Sequence, residues 1–327
     1  MYENIERYPS YYRIPNVTSL PKAIDNSLSK WDGICYKMDR IGYYYDEVNK
    51  EVRIPAGYPE DGVRVLFPYR NIIDKDVNVY DEVKIKLVNS PKDYIQTSTF
   101  AFMTGSEPFS NMSTKQQLYV DLDTGLGKTY LGIAVACYYK SRLAVITPGI
   151  SKITDQWMES ISKFTSLHRD EFLLVKGSDM CVDIIDGKYS KIKIFVIPRS
   201  TILSFVRKYE NNWSLVTRLI DAMKVNIRVI DEAHMDFSTM VKIDCFSNVA
   251  KTYYMSSSPT RSEMKEKKIY HRVFKTVPRY GKDLLTKEQH HIIPLIIQFK
   301  STPTLEQLKE IKTVRGPSLA KYSAYLL

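Results

Sequence analysis

The sequence predicts an α/β protein: a parallel sheet covered by helices on both faces, preceded by a small β-rich module. Short apolar runs recur along the middle of the chain, at 117–122, 143–148, 192–198, 226–231 and 252–257, with helical stretches between them. Strands that alternate with helices imply crossover connections, which make the strands parallel and bury both faces of the sheet. Before residue 90 the pattern differs, because apolar residues there recur at every second position, the period of half-buried strands.

Taken in order, residues 40–59 read as a strand, a polar turn at Asp46–Lys50 and a second strand ending at Pro55 and Gly57. The runs 62–69 and 77–88 alternate and read as further strands. Ser90 and Pro91 suit the N-cap and first position of a helix that Gly105 closes. A buried strand follows at 117–122, then a helix with Leu131, Ala134, Val135 and Tyr138 on one face, and another helix over 153–164. These patterns divide the chain into a β-rich module (1–89), an α/β domain (90–280) and a segment (281–327) that begins another domain or a linker.

Composition narrows the function class. At 44% apolar and 26% charged residues, the chain has the make-up of a globular domain. Cys35, Cys137, Cys181 and Cys245 stand far apart, a spacing that argues against a zinc site or a disulfide framework and points to an intracellular, reducing compartment. No apolar run reaches membrane-spanning length, and no membrane partner is expected. The net charge of +10 is concentrated in residues 261–327, where 14 Lys/Arg face 6 Asp/Glu. Such a surface favours polyanions, although a solvated lysine face such as Lys265, Lys267 and Lys268 reads equally well as plain surface.

The chemistry lies in two strings. In 119–130 a buried strand runs into Thr124-Gly125-Leu126-Gly127-Lys128-Thr129 and then a helix, the setting in which a phosphate-binding loop is credible. Gly125 and Gly127 let backbone N–H groups approach phosphate, Lys128 brings a positive charge, and Thr129 offers a hydroxyl to Mg²⁺. The longer form of the motif would have glycine at 122, where Leu122 stands, so the shorter G-x-G-K-T form is matched. In 227–237 an apolar strand ends in Asp231 and Glu232. Phosphoryl transfer to water needs one carboxylate for the Mg²⁺ shell and another to orient or deprotonate the water; Asp231 fits the first role and Glu232 the second. ATP and Mg²⁺ are the expected ligands.

The ordered set of strings resembles superfamily 2 helicases. Residues 123–129 resemble motif I, 144–157 motif Ia, 194–202 motif Ib, Asp231-Glu232-Ala233-His234 motif II, and 256–261 motif III with Ser257 in place of the usual alanine. Residues 43–327 as a whole resemble DEAH-type helicases of bacteriophages and large DNA viruses, including the phage branch-migration and poxvirus transcript-release helicases. The resemblance implies a RecA-like domain, adenine reading by Gln96, nucleic-acid contacts at Thr147, Pro148, Ser200 and Thr201, and coupling of ATP to motif III through His234, Ser256 and Ser258. It further implies a nucleic-acid partner, DNA favoured over RNA, and a second motor domain supplied by further sequence or by another chain. Plainer readings stand beside these: Trp157 as packing, and Ser200 and Thr201 as helix caps. The rival functions are an ATP-binding accessory or scaffold subunit without catalysis of its own, and a packaging-type ATPase, against which the ordered Ia and III strings argue.

Overall fold

The computed structural model describes residues 3–32, 36–257 and 263–281, and two short strands beyond them. Through Gly281 the described residues belong to one compact unit. It opens with β1 (Ile5–Arg7), β2 (Tyr11–Ile14), α1 (Lys22–Leu28), β3 (Ser29–Asp32), β4 (Lys37–Arg40), β5 (Tyr44–Asp46), β6 (Glu51–Pro55), α2 (Glu60–Leu66) and β7 (Ile72–Asp74). β5-β6-β2-β1-β7 form a mixed sheet, with β7 parallel to β1 and the other pairs antiparallel. The expected hairpin is present, Tyr45 pairing with Val52 across the turn.

The α/β part runs α3 (Tyr94–Thr104), β8 (Gln117–Asp121), α4 (Lys128–Tyr138), β9 (Leu143–Thr147), α5 (Ser151–Phe164), β10 (Phe172–Leu174), α6 (Gly177–Ile185), β11 (Ile194–Pro198), α7 (Arg199–Lys208), α8 (Ser214–Met223), β12 (Ile227–Ile230), α9 (Phe237–Cys245), β13 (Lys251–Ser256), α10 (Met264–Val273) and β14 (Arg279–Tyr280). Its seven strands lie in the order β10-β11-β9-β12-β13-β8-β14, and every neighbouring pair is parallel. Strand alternation assigns the two faces. Leu118 and Val120 join a buried cluster with α3, α4 and α5, whereas Tyr119 between them joins a second cluster with α6 to α10 and the small mixed sheet. That second cluster runs unbroken from Ile5 and Val52 to Tyr254 and Phe274. Polar ties cross the same boundary, since Arg53 of β6 donates to the Cys245 carbonyl of α9 and lies over the Phe246 ring.

Three local expectations need correction. The run 62–69 is not a strand but lies mostly in α2, which has Glu60 and Asp61 in its first turn and buries Val63 and Leu66, one helical turn apart, while Val65 is exposed. The run 77–88 forms no strand beyond one bridge from Leu87 to Thr165, because it crosses the ends of α4 and α5, where Val83 N–H donates to the Lys140 carbonyl and Val88 N–H to that of Phe164. The cap of α3 is Asp93 rather than Ser90; its carboxylate accepts from the Gln96 N–H. Gly105 does close α3, in the left-handed conformation.

Residues 291–327 belong to a separate unit, in which β15 (Lys312–Thr313) and β16 (Gly316–Pro317) pair antiparallel. Ser258 and the rest of motif III through 261 lie outside the described residues, as does Cys35.

Candidate nucleotide site

Register brings the motifs together. Across the parallel sheet Ile230 is level with Ile146, Thr147 with Pro198, and Asp121 with Ser256. The segments that follow β8, β9, β11, β12 and β13 therefore leave the same edge, the carboxyl ends of the strands, where α/β sheets place their ligand crevices.

A cavity of about 650 Å³ opens there. Its wall includes Gln96, the loop Thr124 to Thr129, Asp231 and Glu232. Gly125 and Gly127 have φ of 89° and 86°, and nothing lies within 4 Å of where a Gly125 Cβ would stand. That open space is the room a phosphate needs over the loop amides. A Cβ on Gly127 would come within 2.4 Å of Gln96 Nε2, so Gln96 lies against the loop; it is buried, and its Oε1 accepts from the Lys92 N–H at 3.0 Å. Lys128 Nζ donates to the Leu122 carbonyl at 2.9 Å and to that of Asp123 at 3.3 Å. Burial pulls its pKa below the ordinary lysine range, while Glu232 and Asp231 act to raise it. Leu126, in contrast, is buried at 3% exposure, so its side chain packs in the core.

The carboxylates sit on a tight turn after β12. Asp231 accepts at 2.7 Å from the indole N–H of Trp157 and at 3.0 Å from the Glu232 N–H. Burial raises its pKa, and the Trp157 hydrogen bond opposes that by favouring the charged form. Glu232 and Asp236 both have φ of 44°, a left-handed conformation that is costly for residues with side chains and clusters at functional sites. Arg199, 1% exposed, holds this turn from behind: it donates to the carbonyls of Asp231, Glu232 and Met235. His234 Nδ1 lies 2.8 Å from Ser256 Oγ and 3.3 Å from a Glu232 carboxylate oxygen, so motifs II and III meet at Ser256.

A second cavity of about 270 Å³ lies at the same edge, lined by Gly149, Ile150, Ser151, Lys176, Ser200 and Thr201, among others. Thr147 and Pro148 are buried at the end of β9, and the accessible surface of motif Ia begins one residue later, at Gly149 and Ile150. Ser200 is exposed, whereas Thr201 is 9% exposed and reaches the Val175 carbonyl at 3.4 Å. Neither residue makes a cap hydrogen bond to α7. Lys265, Lys267 and Lys268 are exposed on α10.

Sequence reasoning missed the part played by four residues. Trp157 is packing, but it is also the donor that orients Asp231. Arg199 carries no local signal, because an arginine at a helix start reads as surface. Tyr130 and Phe164, in edge-to-face contact at 5.2 Å, line the first cavity from α4 and α5. No local signal announces any of them, since each depends on which elements pack together.

The family model described as type III restriction enzyme, res subunit (ResIII) matches residues 78–261, more than half of the chain. The chain belongs to this family. The ResIII match spans both site strings and supports a superfamily 2 helicase-type domain that binds nucleotide and acts on nucleic acid. Among solved structures, the UvsW helicase of bacteriophage T4 superposes with TM-score 0.51 at 12% identity, covering 85% of this chain and 100% of that one. The Hef helicase domain of Pyrococcus furiosus matches with TM-score 0.43 at 14% identity over 67% of this chain and 44% of its own. A hypothetical ATP-dependent RNA helicase from Sulfolobus tokodaii matches with TM-score 0.40 at 20% identity over 58% and 53%. What the T4 structure shares with this ResIII chain is the fold. No curated protein matches it. Among the described residues no helix is long and apolar enough to cross a membrane.

Proposed function

We propose that this ResIII chain binds ATP·Mg²⁺ in the first cavity and hydrolyses it to move along or remodel a polynucleotide, DNA favoured over RNA. The observation that carries this reading is the convergence of Gly125, Gly127 and Lys128 with Asp231 and Glu232 on one cavity. The residues fit the nucleotide: the loop has open space above its amides, a buried lysine, and two carboxylates opposite. In this reading Thr124 to Thr129 hold the phosphates, Thr129 and Asp231 hold the metal, and Gln96 reads the adenine. Mg²⁺, when bound, supplies positive charge to the phosphates. Glu232 orients the attacking water and takes its proton, and Trp157 keeps Asp231 charged and aimed. His234 and Ser256 relay the state of the nucleotide to motif III. The exposed corner of Gly149, Ile150, Ser200 and Thr201 carries the polynucleotide backbone. Resemblance to DNA-acting phage and viral DEAH helicases supports DNA. Among the described residues lining the cavity the cations are Lys92 and Lys128. That fits a partnership with a second motor domain whose arginines reach across the cleft.

The test is the ATP turnover of the purified chain, alone and with single-stranded DNA, duplex DNA or RNA. DNA should stimulate most, and Glu232→Gln should lower turnover by about 10²–10⁴-fold while leaving ATP binding in place, because the amide cannot accept a proton. A Glu232→Gln chain that hydrolyses ATP at the wild-type rate would remove Glu232 from the mechanism.

A further inference from the structure

Two helices that start at the second cavity both reach back to the carboxylate turn. α5 begins at Ser151, beside Gly149 and Ile150, and one side of it delivers Trp157 to the Asp231 carboxylate. α7 begins at Arg199, and its next two residues, Ser200 and Thr201, line the cavity. The two starts are packed together, since a Cβ on Gly149 would come within 3.0 Å of Ser200 Oγ. Arg199 and Ser200 are neighbours with opposite surroundings: Ser200 is exposed and Arg199 is 1% exposed.

The buried guanidinium spends its hydrogen bonds on one turn. Nη1 donates to the Met235 carbonyl at 2.5 Å, and Nη2 donates to the Glu232 carbonyl at 3.1 Å and to that of Asp231. Among the described residues Nε finds no hydrogen-bond partner. A buried cation held by backbone carbonyls tolerates little displacement, because each lost acceptor leaves charge without compensation. The carbonyls it holds belong to the stretch in which Glu232 and Asp236 take left-handed backbone conformations. A shift at the first turn of α7 is therefore passed to the residues that set the direction of the Glu232 side chain.

We propose that Arg199 is the positioning residue through which a polynucleotide in the groove of Gly149, Ser151, Ser200 and Thr201 alters the Asp231–Glu232 turn, and through which bound ATP alters that groove. The proposal rests on the functional reading above. It requires reciprocity, because two ligands coupled through one element must change each other's affinity by the same factor.

The experiment uses the intact chain, a non-hydrolysable Mg²⁺·ATP analogue and a single-stranded DNA oligonucleotide. Calorimetry gives the analogue's affinity with and without the oligonucleotide. The wild-type affinities should differ by about fivefold or more, and in Arg199→Lys, which keeps the charge but not the fork of donors, the ratio should fall to within about twofold of one. A wild-type ratio in folded Arg199→Lys overturns the proposal and leaves Arg199 a structural residue. Amide hydrogen exchange on the wild-type chain covers the case in which the variant does not fold. The oligonucleotide alone should slow exchange across residues 231–236, and unchanged exchange there overturns the proposal. Wild-type chain that binds both ligands with a ratio of one overturns the coupling alone. Wild-type chain that binds neither overturns the functional reading, and the coupling with it.

Discussion

The buried ammonium of Lys128 donates to the carbonyls of Leu122 and Asp123, and Lys128 forms part of the cavity wall, so its charge stands beside the 124–129 loop. Lys128→Ala should weaken binding of ATP·Mg²⁺ by about 10–100-fold, the range expected for losing a hydrogen bond to a charged group. Calorimetry reads this directly, and an unchanged affinity would mean that the loop amides alone hold the nucleotide. Trp157 acts one step further back. Trp157→Phe keeps an aromatic ring on α5 but removes the donor at 2.7 Å from Asp231. Groups that orient a metal ligand commonly matter by about 10–100-fold in metal affinity. The variant should need roughly tenfold more Mg²⁺ for half-maximal turnover, with a smaller change in the ATP requirement at saturating Mg²⁺. Identical Mg²⁺ dependence would reduce Trp157 to packing alone.

At the scale of elements, β12 and α9 are joined by a fully buried ion pair. Arg228 donates to Asp244, to Thr252 and, at 3.5 Å, to Ser10 of the mixed-sheet region, and Tyr254 donates to the other Asp244 oxygen at 3.0 Å. Burial pushes the Asp244 carboxyl up to about 6, with Arg228 pulling it down. Arg228→Met should cost about 3–5 kcal/mol of stability at neutral pH, since it strands a buried carboxylate. The pH dependence follows from the sign of the shift. A carboxyl whose folded-state pKa is raised binds its proton more tightly in the native state, so the deficit is smallest in acid and grows as the pH rises through 6 and beyond. Denaturant melts of both chains at several pH values test this, and a deficit that shrinks with rising pH would contradict it. The five central strands of the α/β part and helices α3 to α5 were legible because each is an unbroken apolar run or carries an apolar face at helical spacing, whereas β10 and β14, three and two residues long, carry no such pattern. α2 was not, because seven residues with Val63 and Val65 two apart satisfy a strand's period as well as a helix's.

For the whole molecule the relevant quantity is charge. The net +10 supports a polyanion partner, and affinity for a DNA oligonucleotide should fall about tenfold or more between about 50 and 200 mM salt, as counterions displaced on binding are returned. Fluorescence anisotropy across a salt series measures the slope, and a flat series would exclude backbone phosphate as the ligand. Core continuity also appears only at this scale. The cluster that begins at Ile5 in β1 ends on α10, and the seam is crossed by Arg53 and by Arg228.

By itself the sequence determined the α/β class, the loop at 124–129 and the carboxylates at 231–232, because these depend on spacing within one strand-turn-helix unit or at one strand end. Local spacing carries that information even without knowledge of the sheet order. Only the tertiary structure decided which residues stand behind the site. Trp157 lies 74 positions before Asp231, and Arg199 lies 32 before it. Both reach it because β9 and β12 are neighbours in the sheet and β11 lies next to β9. Strand order is set by how the crossovers pack, and no residue in the chain states it locally. The same reason explains why Thr147 ends buried while Gly149 and Ser200 share an exposed corner: Thr147 is the last residue of β9, paired with Pro198 inside the sheet, whereas Gly149 and Ser200 lie past the strand ends, where no neighbouring strand covers them.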